Sequence, residues 1–331
     1  MDKKGLPIWG KRLGYLIQEC FDFIGEVAAH HREKLVVRAV PVRKSQTEIS
    51  YRYAVRGNLL PDNTDEKLRD IFGRARSVLD IAMFTAVKAA ANPALTPKQE
   101  RNTYFPISKD EAGWKSVCGQ PHMQALSQSQ RDNLRNIQPF VTQTSAISWF
   151  SDAHNVDKHQ RPLVLSTIVD PEIVMFFGHL VPQFGTVEYW LDWVNPLPAV
   201  EQRVEFARYR TIQPIFRAGV EDVPVSLGMW SEGQWRDIQH LLWDLLEFTA
   251  RACELLDDGD TSMADAMKDY FGHERDQLNA FNKMMLTGDP KAEAEWLRLA
   301  DQKSADARPG ESMIKPVDSY NGPTPAASFN I

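Results

Sequence analysis

"LRDIFGRARSVLDIAMFTA", residues 68–86, decides the fold class. Leu68, Ile71, Phe72, Ala75, Leu79, Ala82 and Ala86 recur at three- and four-residue steps, which puts them on one apolar stripe of an α-helix. The stripe runs until "ANPALTP" (91–97) breaks it, so the spacing predicts a helix over 65–90. Thr64 reads as its N-cap, with Asp65 and Glu66 in the first turn, where the helix dipole favours negative charge. Arg76 and Asp80 stand out in this helix. They are i,i+4 neighbours that flank the stripe, and such a pair is either a surface ion pair or, turned inward, part of a polar network.

Toward the N-terminus the period shifts to two. In "TEISYRYAVRG" (47–57), Ile49, Tyr51, Tyr53 and Val55 alternate with Ser50, Arg52 and Ala54, the pattern of a half-buried strand. "KLVVRAVPV" (34–42) is its natural partner across "RKSQ", giving a β-hairpin over 35–56. Before it, Trp9, Leu13, Leu16, Ile17, Cys20, Ile24 and Val27 place a helix over 7–31, ended by His30 and His31, which complement its dipole. Beyond the central helix, 92–130 is loop-rich with short helical turns, and 131–159 reads as two short helices separated at Pro139. Residues 163–230 turn strand-like and read as a small β insert. Trp235, Ile238, Leu241, Leu242, Leu245, Thr249, Ala252 and Leu256 then form the stripe of a helix over 233–256. The expected fold is therefore mainly α: a helical bundle, 1–256, decorated by a β-hairpin and a β insert. An acidic helical extension follows at 257–303. The last 28 residues, 304–331, carry four prolines and read as a flexible tail.

The hydrophobic and charged fractions, 43% and 25%, are those of an ordinary globular protein. Lys11 and Arg12 interrupt what would be the apolar core of a signal peptide, and no apolar run approaches the ~20 residues of a membrane span. Three cysteines (Cys20, Cys118, Cys253) are widely spaced without CxxC pairing, which points to buried thiols in a reducing, cytoplasmic setting. The net charge of −6 argues against a general nucleic-acid coat, yet its distribution is uneven. Residues 32–56 hold seven basic and two acidic side chains, and 257–311 hold thirteen acidic and seven basic. The basic region is a candidate RNA contact or a solvated strand face. The acidic segment and the tail ("ASFNI") are candidate docking points for a protein partner. Tyr189, Trp190 and Trp193 are candidates to stack on a base or sugar, or to fill the core of the insert.

The densest polar cluster is "SDAHNVDKHQRP", residues 151–162. On a continuous helix Ser148, Asp152, Asn155 and His159 share a stripe, while His154 lies over Ile147 and Phe150. The two histidines then point about 140° apart at 3.6 residues per turn. They cannot chelate one metal, so no metal site is expected here. If this helix packs beside 65–90, Arg76 and Asp80 converge with Asn155 and His159, and Asp157 and Lys158 sit at the helix exit.

The order "FGRARSVLDIA", "NTYFPI", "LRNIQPF", "DAHNVDKHQRPL" resembles a group of uncharacterised bacterial and prophage-type proteins. That group carries an RSxLD helix, an (F/Y)PI turn, a QP(Y/F) segment and an NxDKHR motif, and the resemblance covers residues 45–170. This chain has Ile81 where the group has His, and Gln160 where it has Arg. A second resemblance is to HEPN-like helical proteins, which often cleave RNA with an R-x4–6-H motif. His154 to His159 has that spacing, with histidine in place of the arginine. This resemblance implies a dimeric RNA-processing or phage-defence ribonuclease, with His159 as acid/base supported by Asn155, Asp157, Lys158, Arg76 and Asp80. The alternative is a non-enzymatic interaction or assembly protein, in which Arg76, Asp80, Asn155 and His159 form a polar clamp between helices. No GxGxxG, Walker, GxSxG, HExxH or EF-hand pattern is present, and no cofactor is expected.

Overall fold

The computed structural model describes residues 7–142, 147, 150, 163–169, 189–193, 199–200, 203, 205–211, 221–223, 225–231, 234–257, 259, 261–272, 291, 294–295 and 298. The chain divides into two compact units, Met1–Gly272 and His273–Ile331. In the second, the described residues are helical, with Arg298 paired to Glu295 at 2.7 Å.

The first unit is mainly α with β elements, as the hydrophobic periodicities predict. Its frame is two 27-residue helices, α1 (Ile8–Lys34) and α2 (Thr64–Ala90), joined by a hairpin of β1 (Val36–Arg43) and β2 (Glu48–Arg56). The α2 stripe is buried from Leu68 to Val87 against α1 and the last long helix. Asn63, in the left-handed region (φ 59), takes the N-cap position, and Thr64 is the first helical residue, its hydroxyl donating to the Pro61 carbonyl at 2.7 Å. Five short helices follow. They are α3 (Pro97–Arg101), α4 (Glu111–Cys118), α5 (Pro121–Ala125), α6 (Gln128–Asn136) and α7 (Pro139–Thr142). Ser and Thr caps with Gln three residues on start α3 and α6 as capping boxes.

The hairpin and the insert are not separate decorations. The insert supplies β3 (Leu165–Val169), β4 (Tyr189–Trp193), β5 (Glu205–Thr211), β6 (Glu221–Asp222), β7 (Val225–Ser231) and β8 (Gln234–Asp237). They build two antiparallel sheets, β4-β5-β2-β1-β6 and β3-β7-β8. An isolated hairpin leaves both edges unpaired, and β5 and β6 cover them. Val37, Ala39, Ile49, Tyr51 and Tyr53 form one face of the larger sheet and a core of their own. Leu227 and Met229 of β7 join the helical core. Gly228 between them is required, because a Cβ there would lie 2.4 Å from Ile168 Cγ2.

The last long helix starts later than its stripe suggests. Residues 234–237 are strand β8, with Trp235 set against Trp230 across the hairpin, and helix α8 spans Ile238–Asp257. Asp237 caps α8 through the His240 amide (3.1 Å). Burial alone would raise the Asp237 pKa, but the hydrogen bond and charge of His240 outweigh it and hold the carboxyl low. The unit continues beyond Asp257 into helix α9 (262–272), whose first turn is capped by buried Glu254 at the amides of Met263 and Ala264 (2.8 and 2.9 Å). Phe271 of α9 stacks on Trp243 at 4.9 Å.

Candidate functional site

α2 carries Arg76 and Asp80 one turn apart, and they do form an ion pair (3.2 Å). Their further partner is the loop between α3 and α4. The Phe105 amide donates to Asp80 Oδ1 at 2.8 Å, and Arg76 Nη2 donates to the Phe105 carbonyl at 2.7 Å. Arg76 Nε closes the ring on Asp80 Oδ2 at 3.3 Å. Both backbone groups of one residue are thus held by one i,i+4 pair.

The loop needs such partners because of its sequence. Pro106 biases Phe105 to an extended conformation, and an extended segment outside a sheet leaves its amides and carbonyls without ladder bonds. Phe105 is fully buried, its ring edge-on to Phe248 at 5.9 Å, so water cannot serve its backbone in place of the protein. Gln138, also fully buried, performs the same task one step along. Its Oε1 accepts from the Ser108 amide (2.8 Å), and its Nε2 donates to the carbonyls of Pro106 (3.2 Å) and Leu134 (3.0 Å). Phe105 to Ser108 is therefore laced from one side by α2 and from the other by the start of α7. The role of Gln138 was not read from the sequence. Its signal was a lone amide directly before Pro139, among the apolar residues Leu134, Ile137 and Phe140.

Ser77, beside Arg76, accepts from Arg12 Nη1 of α1 at 3.3 Å, and Leu79 is in the core. Tyr104 packs its ring on His122 (5.4 Å), and burial lowers the His122 pKa. Asn155, Asp157, Lys158 and His159, the other residues assigned to this site, lie outside the described residues, as does His154. Ile147 and Phe150 are helical and buried, and Phe150 meets Phe72 of α2 edge-on at 6.1 Å. Phe150, just before the 151–162 cluster, thus packs against α2.

Cys20 and Cys253 are buried free thiols, and burial raises both, Cys20 to about 12. Half-buried Cys118 is raised for the same reason. None is poised as a nucleophile. Among the described residues, no three His, Cys, Asp or Glu are placed to share a metal ion, and no helix is long and apolar enough to cross a membrane. Comparison with models of protein families, with curated proteins and with solved structures finds no match for this chain.

Proposed function

We propose that this chain works by binding rather than by catalysis, with the Arg76–Asp80 pair as a structural clamp in an interaction or assembly protein. The observation that supports this most is the engagement of Arg76 and Asp80 with the amide and carbonyl of Phe105. The Nε and Nη2 donors of this guanidinium are taken by a carboxylate and a carbonyl, and withdrawing them to stabilise a phosphorane would release a buried loop. On this reading the binding surfaces lie elsewhere: the basic 32–56 region, the acidic 257–311 segment, or a second copy of the chain.

The test is Arg76→Ala and His159→Ala in the full chain, each measured for melting temperature and for cleavage of labelled RNA. The expected result is a lowered melting temperature for Arg76→Ala and no RNA cleavage by the wild-type protein. RNA cleavage by wild type that His159→Ala abolishes, at unchanged melting temperature, overturns the reading in favour of a HEPN-like ribonuclease.

A further inference from the structure

We propose that the outer face of the five-stranded sheet, where β2 and β1 meet the end of α1, binds the phosphate backbone of a nucleic acid. This rests on the reading of the chain as a binding protein and names the ligand class of one surface.

The register of the hairpin builds the surface. Arg56 lies opposite Val36, Ala54 opposite Arg38, and Arg52 opposite Val40. Alternate residues share a face, so Arg38, Arg52 and Arg56 stand on the side away from buried Val37, Ala39 and Tyr53. Neighbouring strands lie about 5 Å apart and a two-residue step is about 7 Å, so the three arginines form a tight group. Lys34 extends it. Gly57 turns at φ +105 directly against the Lys34 carbonyl, where a Cβ would come within 2.0 Å of that oxygen. The end of β2 is thereby pressed onto the end of α1, and Lys34, Arg38 and Arg56 are all exposed.

The charges on this face divide into two groups. Toward the hairpin turn the cations are matched: Lys44 pairs with Glu205 at 3.3 Å, and Arg208 with Glu205 and Glu48 at 2.8 and 3.4 Å. Among the described residues no ion pair engages Arg52 or Arg56, while Arg38 lies opposite Asp222 and Arg52 opposite Glu205 in register. Exposed Arg56 beside half-buried Arg52 offers guanidinium donors that suit an oxyanion with several acceptor oxygens. Arginine outnumbers lysine in the group, and its planar fork fits phosphate two bonds at a time. A membrane surface fits less well. Val36 is the only large exposed apolar side chain among the described residues of the hairpin, and interfacial binding needs an apolar wedge.

The experiment is fluorescence anisotropy of the full chain with a labelled single-stranded RNA and a labelled DNA duplex, from about 50 to about 200 mM salt. Binding should weaken as salt rises. Arg52→Gln with Arg56→Gln should weaken it about tenfold and flatten the log–log salt slope by about 1.4, for two lost contacts on a single strand. Lys67→Gln with Arg74→Gln, an equal loss of charge on the α1–α2 face, should leave it unchanged. Arg52→Lys, which keeps the charge, should retain most of the salt slope. The variants' melting temperatures confirm that each is folded. Preference for RNA or for duplex identifies the source of the backbone, and either supports the proposal. Absence of binding to both, equal effects of the two double variants, or binding to anionic vesicles alone overturns it. None of those failures touches the clamp, which is tested through stability.

Discussion

Asp80 accepts from a backbone amide and from a guanidinium at once, and removing it leaves both donors short of a partner. Gln138 is the stricter case because it is wholly buried. Gln138→Ala should cost about 2–4 kcal/mol, since the Ser108 amide and the Pro106 carbonyl both lose their bond, and denaturant unfolding measures it. The sequence marked Arg76 and Asp80 as unusual through their spacing beside an apolar stripe. It did not mark Phe105 as their partner, because extended loops have no periodicity and the hydrogen-bonding groups involved are backbone, common to every residue. His31 adds a pH dependence. Burial, then the neighbouring His30, lowers its pKa to about 4, against 6.5 for the ordinary side chain. The unfolded chain therefore binds a proton that the folded chain refuses, and stability falls as pH drops from about 6.5 toward about 4. Melting temperatures at pH 7 and pH 5 should fall less for His31→Gln than for wild type, and equal falls would contradict this assignment.

At the scale of elements, strands and helices were legible where one period ran long enough, as in α1, α2 and β2. The start of α8 was not. Trp235 fits the helical stripe of Ile238, Leu241 and Leu245, yet it also fits a two-residue alternation opposite Trp230, and the β7–β8 hairpin takes it. Pairing between the hairpin and the insert was illegible for a different reason. Alternation shows that a strand has one buried face, but it carries nothing about which distant strand covers its edge. The smaller sheet depends on one close approach, at Gly228 under Ile168. Gly228→Ala should destabilise the protein by about 1–3 kcal/mol through overpacking, seen as a lower urea midpoint. Ile168→Ala, which removes the clashing Cγ2, should cost less in the Gly228→Ala chain than in the wild type, and equal costs would argue that the contact is unimportant.

The whole first unit is larger than the bundle read from apolar stripes, because α9 stays with it through Glu254 and the Phe271–Trp243 stack. Its polar interior follows one pattern. Side chains on helices or at their ends satisfy backbone groups that lack a partner in a helix or sheet: Asp80 and Arg76 for Phe105, Gln138 for Pro106 and Ser108, and Glu254 for the start of α9. The claim at the centre is that the Arg76–Asp80 pair holds this architecture rather than a reaction. Amide hydrogen exchange at Phe105 in Asp80→Ala, read beside the melting temperature, tests it most directly. The account predicts faster exchange at Phe105 and a stability loss of about 1–3 kcal/mol. Wild-type protection at Phe105 with an unchanged melting temperature would contradict it.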